Sequence, residues 1–207
     1  MQRSQPDGRT QRAEAKRKAR REEILTAAQR VFSSRGYHAA SITDVIDAAG
    51  ISRGTFYLYF DSKDALFLDL IDRFTNHIMR VVEVVDPDGP DPTGQIYQNI
   101  RRVVDVVFDY RDLAVVAFRE SVGLHQGIDG KLNKLYGFLR EMIEGALDKG
   151  ARWGIIRPVD ERIVTIALIG GIREVFYQYL VVDPVGNPDR EAVATSLFEF
   201  AVKGLLP

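Results

Sequence analysis

Cysteine is absent from this 207-residue chain, which excludes disulfides, thiolate catalysis and cysteine-based zinc fingers and fits a reducing compartment. Histidine is nearly absent too: His38, His77 and His125 are scattered and form no H-E-x-x-H pair. There is no phosphate-cradling glycine loop and no serine in a nucleophile elbow. Acidic pairs such as Glu22 and Glu23 fall on an exposed helical face, where solvated side chains are the ordinary reading. The expectation is therefore a chain that is not an enzyme and carries no metal or cofactor. No alternating apolar run is long enough to argue for a sheet, and there is no internal repeat or low-complexity tract. No apolar run reads as long and uninterrupted enough to span a bilayer, and the N-terminus lacks an apolar signal core. A cytoplasmic protein with no membrane partner is expected.

What is present is a chain long enough for one or two domains with real cores, and a hidden charge asymmetry. The formal net charge is −1, yet residues 1–63 hold twelve Lys/Arg against seven Asp/Glu, so the remainder is acidic. Local charge, not the total, decides whether nucleic acid can bind.

The most informative stretch is SITDVIDAAGISRGTFYLYFDSK, residues 41–63. Ser41 and Asp44 have capping-box spacing, so a helix should begin there, with Val45, Ile46, Ala48 and Ala49 on its buried side. Gly50 is a left-handed terminator, Ile51 a corner plug, and Ser52 a cap for a second helix over residues 53–60. On that helix Phe56 and Phe60 share one face, leaving Arg53, Gly54, Thr55, Tyr57, Leu58 and Tyr59 outside. Gly54 costs roughly 1 kcal/mol against alanine inside a helix, but it allows close approach to a bulky partner. Lys63 opposes the dipole of the helix capped by Ser62, unless a phosphate binds at that N-terminus. Two short helices at a tight turn, with such an outer face, form a DNA-reading unit. Taken one at a time, the tyrosines could be half-buried helix aromatics, Arg53 a solvated charge and Gly54 a packing glycine.

Upstream, residues 1–10 read as disordered, followed by the basic run Arg9, Arg12, Lys16, Arg17, Lys18, Arg20 and Arg21. Such an arm can lie in a minor groove or against phosphates, or merely be solvated. Ile24, Ala28, Val31, Phe32 and Arg35 then track one helix side, which Gly36 ends. Downstream, an amphipathic helix should run to about Val85 and connect two domains, and residues 86–94 should break it. Helical patterns follow at 96–110, 113–124 and 132–151. Asp160 is placed to cap a helix over 163–182 that is apolar almost all round and so should be heavily buried, and a last helix carries Val193, Leu197, Phe200, Ala201 and Gly204.

The pattern from Ile24 to Phe67, centred on G-I-S-R-G-T-F-Y-L-Y-F-D-S-K-D-A-L-F, strongly resembles the N-terminal domain of the TetR family of bacterial transcriptional regulators. It departs from many members at Leu58 and in its long basic tail. The resemblance implies an all-α protein with a basic N-terminal arm (1–20), a three-helix helix-turn-helix domain (21–67) and a helical bundle for ligand binding and dimerisation (68–207). It also implies a homodimer on an inverted-repeat operator, with repression relieved by a small molecule. Arg53, Thr55, Tyr57 and Leu58 are then expected at the major groove beside Gly54, and Thr43, Tyr59 and Lys63 at phosphates. Ser41 is a cap first and a phosphate contact second.

The last two long helices should form the dimer interface, through Ala167, Gly170, Gly171, Val193, Leu197, Phe200, Ala201 and Gly204. The bundle's aromatic and imidazole groups, Phe108, Tyr110, Phe118, His125, Tyr136, Trp153, Phe176 and Tyr177, are candidates to line an effector cavity. The competing readings are a ligand-independent architectural DNA-binding protein and a helical enzyme or interaction module.

Overall fold

The computed structural model describes residues 8–86, 88–119, 126–154 and 156–203, and every regular element among them is helical. The chain divides into two compact units, Met1–Leu70 and Ile71–Pro207. The first contains α1 (Gly8–Arg35), α2 (Ile42–Ala49), α3 (Arg53–Tyr57) and the start of α4 (Lys63–Val81). Its core is one stripe of α1 (Ile24, Leu25, Ala27, Ala28, Val31, Phe32) with Val45 and Ile46 of α2, Phe56, Phe60, and Leu66 and Phe67 of α4. Phe67 meets Phe32 edge-on at 5.8 Å and Tyr37 at 4.5 Å between ring centroids.

Local chemistry sets the boundaries. Gly36 (φ 77°) follows α1, and Gly50 (φ 62°) closes α2 in the left-handed region that side chains with a Cβ avoid. At the start of α2 the full capping box forms: the Ser41 hydroxyl accepts from the Asp44 amide at 3.1 Å, and the Asp44 carboxylate accepts from the Ser41 amide at 2.8 Å. The Ser41 hydroxyl, then its backbone amide, hold the Asp44 carboxyl below the usual carboxylate range, with Arg35 at 2.6 Å assisting. A depressed folded pKa contributes stability above the unfolded value and loses it as pH falls through the folded one. Ser41→Ala, which removes the helix cap, should lower the urea midpoint at neutral pH. It should also flatten the loss of stability on acidification below about pH 4. Parallel urea and acid titrations check both, and an unchanged midpoint would remove the cap from the account.

Several expectations change. Helix α1 already includes Gly8, Arg9 and Thr10. Ala48 is exposed rather than on the buried side of α2. Helix α3 stops at Tyr57, short of Phe60, because the chain tightens into i→i+3 bonds: the amides of Leu58 and Tyr59 donate to the carbonyls of Thr55 and Phe56.

The second unit comprises the rest of α4 and α5 (Pro92–Asp109), α6 (Arg111–Arg119), α7 (Gln126–Arg152), α8 (Glu161–Tyr177) with a π-turn over Gln178–Val182, and α9 (Arg190–Lys203). Helix α4 ends at Val81, not Val85, because side-chain amides of α5 capture the chain beyond it. Asn99 accepts from the Glu83 amide at 2.9 Å and donates to its carbonyl at 2.7 Å, and Gln95 accepts from the Asp86 amide at 2.7 Å. Helix α5 starts at Pro92, inside the expected breaker, because Asp91 caps it on the Gly94 amide at 2.8 Å and proline suits a first helical turn. Charges tie α9 to α5: Arg190 reaches Asp109 at 2.7 Å and Arg101 reaches Glu191 at 2.7 Å.

Helix α8 departs most from expectation. Asp160 caps it on the Ile163 amide at 2.9 Å, but of its residues only Thr165 and Phe176 are buried. Contrary to expectation, the run Glu161–Val182 is also long and apolar enough, by length and composition alone, to cross a membrane. Arg173 and Glu174 interrupt it, and much of its apolar side is left exposed within one chain.

Candidate functional site

Helix α3 is presented by its own caps. The Ser52 hydroxyl accepts from the Thr55 amide at 3.1 Å and pairs with the Thr55 hydroxyl at 2.9 Å, while Phe56 and Phe60, ring centroids 6.0 Å apart, anchor the inner side. Arg53, Gly54, Tyr57 and Leu58 are exposed, Leu58 at 72%, whereas Thr55 and Tyr59 are half-buried. A Cβ added at Gly54 would meet nothing closer than the Ser52 hydroxyl at 3.9 Å. Packing within the chain therefore does not demand glycine there, and the bare backbone faces outward.

The supporting residues differ in role. Thr43 is exposed in the first turn of α2. The Ser41 hydroxyl is engaged in its capping box, also donating to the Asp44 carboxylate at 2.7 Å, so its structural role is the one on view. Lys63 resolves the puzzle of a cation in a helix's first turn. Its ammonium donates to the carbonyls of Tyr37 and Ala40 at 2.9 and 3.0 Å and lies 4.2 Å from the centre of the Tyr37 ring. The Tyr37 hydroxyl in turn donates to Asp64. Lys63 thus fastens the link before α2, a role sequence reasoning missed, and these two carbonyls take two of its three N–H donors.

In the second unit α8 and α9 carry an exposed apolar side. Ile163 (64% exposed), Ile166, Ala167 and Gly170 follow helical spacing on α8, and Phe200 on α9 is 63% exposed. Gly171 is half-buried, and a Cβ there would touch the Phe200 ring at 3.6 Å. Val193, Leu197 and Ala201, also expected at an interface, are buried within the chain, and Leu197 and Ala201 line its cavity. Gly204 lies outside the described residues.

A cavity of about 310 Å³ opens within the same unit, lined by residues of α4 to α9. Its walls are mainly aliphatic, as at Ile78, Val103, Leu139, Ile143 and Ile172, and its few polar lining groups include Asn99, Tyr136 and Arg173. Burial raises the Tyr136 phenol pKa, with Arg173 opposing, so the phenol is a neutral hydrogen-bonding group. Of the eight candidates, Phe118, Tyr136 and Phe176 line this cavity. Phe108 is buried against Phe176 at 6.2 Å without lining it, Tyr110 stacks on His77 at 3.9 Å, Trp153 is exposed, and Tyr177 is half-buried off the wall. His125 lies outside the described residues.

The family model for bacterial regulatory proteins of the tetR family matches residues 24–70, and that for the tetracyclin repressor-like C-terminal domain matches residues 89–205. The uncharacterized HTH-type transcriptional regulator YdgC of Bacillus subtilis is 25% identical over 192 residues, covering 90% of this chain and 93% of its own. The crystal structure of FadR from Bacillus subtilis in complex with stearoyl-CoA superposes with a TM-score of 0.72 at 23% identity, covering 89% of this chain and 98% of FadR. That of AibR, solved with isovaleryl coenzyme A and operator DNA, gives 0.71 at 18%, covering 88% and 98%. A capped reading helix followed by a helical unit with an apolar cavity, matched by both domain models, makes the chain a member of the TetR family of bacterial transcriptional regulators.

Proposed function

We infer that α3 is laid in the major groove of operator DNA, with Arg53, Thr55, Tyr57 and Leu58 toward base edges and Gly54 at the closest approach. Thr43, Tyr59 and the remaining donor of Lys63 reach phosphates. Residues 21–67 form the DNA-binding domain and residues 68–207 the effector and dimerisation domain. Two copies pair through the outer sides of α8 and α9, which sets two reading helices about one DNA turn, ~34 Å, or a multiple of it apart on an inverted repeat. The cavity receives a mostly apolar effector whose binding releases the operator. Its aliphatic walls support this, and acyl-CoA thioesters, the ligands of two fold neighbours, are the first probes to try. The protein acts as a repressor in the cytoplasm, with no catalytic step.

The observation that carries the DNA reading is Gly54, whose missing side chain serves nothing inside the chain. Gly54→Ala should stabilise α3 by up to about 1 kcal/mol through helix propensity alone. It should nevertheless weaken operator binding, because a methyl group then stands between helix and groove. Duplexes selected from a random pool by the wild-type chain, titrated against both proteins alongside thermal melts, test this directly. If Gly54→Ala binds as tightly as wild type, α3 does not approach DNA over that backbone. On the same duplexes Arg53→Ala should cost about 1–3 kcal/mol and relax preference at one base position, the usual worth of a base-reading pair.

A further inference from the structure

The first turns of α1 stand out from the core of their unit. Residues 9–19 are exposed throughout, and burial begins only at Arg20 and becomes complete at Ile24. At 3.6 residues per turn, Arg9, Arg12, Lys16, Arg17 and Arg20 fall on one side, within an arc of roughly 140°; Glu14 and Glu22 lie outside it, and Glu23, at the core end of the stripe, lies within it. Two neighbouring cations have structural tasks. Arg20 pairs with Glu23 at 2.6 Å, and Arg21 reaches Asp69 at 3.1 Å with its guanidinium 5.0 Å from the centre of the Phe60 ring. The stripe beyond them sets like charges three and four residues apart, an arrangement that destabilises an isolated helix. Its only apolar residues are Ala13, Ala15 and Ala19, so it offers no face to a core or to a lipid surface.

We propose that this helical extension is a second DNA contact, in which Arg9, Arg12, Lys16 and Arg17 lie along the phosphates flanking the bases read by α3. The proposal rests on the DNA-binding reading above and adds a partner surface to it. The extension is an integral part of α1, whose core stripe fixes its direction from the reading unit. Arg9 to Arg20 spans roughly 16 Å at 1.5 Å per residue, and at 3.4 Å of axis per phosphate that length faces about five phosphates of one strand. The helical form also decides between the two readings of the basic run. A helix about 10 Å across does not enter a minor groove about 6 Å wide, so the contact is with the backbone and carries no sequence information.

The test uses the full chain and the variant R9Q/R12Q/K16Q/R17Q, in which glutamine keeps helix propensity and removes charge. Each binds a selected inverted-repeat duplex in two lengths, one trimmed to the recognised bases and one extended by about ten base pairs, roughly one DNA turn, at each end, over a range of NaCl. On the extended duplex the variant should lower the slope of log K against log salt by about 3–4 per protomer, at roughly 0.9 for each lost phosphate contact. Discrimination between selected and random sequence should be unchanged, and the gap between the proteins should shrink on the trimmed duplex. Equal slopes for the two proteins on the extended duplex overturn the proposal. So does binding to anionic vesicles that depends on the four cations while the DNA slope does not. Absence of salt-dependent DNA binding by the wild-type chain overturns the DNA-binding reading itself, and is distinguishable because it appears before any substitution is made.

Discussion

Phe200→Glu is expected to leave the chain monomeric at micromolar concentration and to lower its affinity for an inverted-repeat operator by about 10²–10⁴. Phe200 is 63% exposed on the outer side of α9, and on α8 the exposed Ile163, Ile166, Ala167 and Gly170 line up at helical spacing. Contiguous apolar surface of this kind, on helices whose other sides are already used, marks an interface. A two-fold axis makes the same patch serve both partners, so one substitution places two carboxylates in a single interface, each desolvated without a partner. Separated protomers bind each half-site independently and lose the effective concentration that links the two events, which is the source of the expected factor. Val84→Glu supplies the control, since Val84 is 77% exposed but lies on neither α8 nor α9, and that variant should remain dimeric. Light scattering and operator titration read both outcomes. A Phe200→Glu protein that is still dimeric and binds as tightly as wild type would move the interface elsewhere.

The same two helices show what a sequence can and cannot reveal. Caps and terminators are legible because each depends on neighbours a few residues away: Ser41 with Asp44, Gly50, Ser52 with Thr55, and Asp160 with Ile163 all act where spacing places them. The burial of Phe56 and Phe60 is legible for the same reason, and it survives the end of α3 at Tyr57 because the Phe60 amide still donates to the Phe56 carbonyl. Helix α8 is not, because an apolar stripe looks alike whether it fills its own core or meets a second copy. The expectation of heavy burial does not hold within one chain, where of the residues of α8 only Thr165 and Phe176 are buried.

The cavity departs from expectation in the other direction. Aromatic type is a poor guide to its lining, because its walls are largely aliphatic and one candidate phenol, Tyr110, is occupied in stacking on His77. Periodicity gives the face of a helix and says nothing of how far the facing helices stand apart. Side-chain ties across long separations are hidden for a similar reason. Asn99 and Gln95 become clasps only because the extended chain after α4 runs beside them, and Lys63 is a fastener only because two carbonyls come within its reach.

The second large effect belongs to the effector. A long-chain acyl-CoA, stearoyl-CoA as the first probe, is expected to bind the C-terminal unit and reduce operator affinity about 100-fold. The physical route is α4, which carries Lys63, fastened to the carbonyls of Tyr37 and Ala40, in its first turn and Phe74 and Ile78 in the cavity wall further along. The chain after its last turn, with Val82 and Val85 also on the wall, is clasped to α5 by Asn99 and Gln95. A ligand that parts these walls acts on the helix that also supplies Leu66 and Phe67 to the core of the first unit. Only a difference in affinity between the DNA-bound and released forms can drive the change, and a factor of about 100 corresponds to about 2.7 kcal/mol, within the usual allosteric range. Linkage makes the effect reciprocal, so saturating operator must weaken stearoyl-CoA binding by the same factor. Leu139→Trp supplies the site-specific arm: a larger side chain on the aliphatic wall should abolish effector binding while operator affinity without effector stays at the wild-type value. Calorimetry with and without operator duplex, on both proteins, decides the matter. Stearoyl-CoA that binds equally well in every one of these experiments is not acting through this cavity, and an effect on DNA that survives Leu139→Trp at full strength places the effector somewhere else.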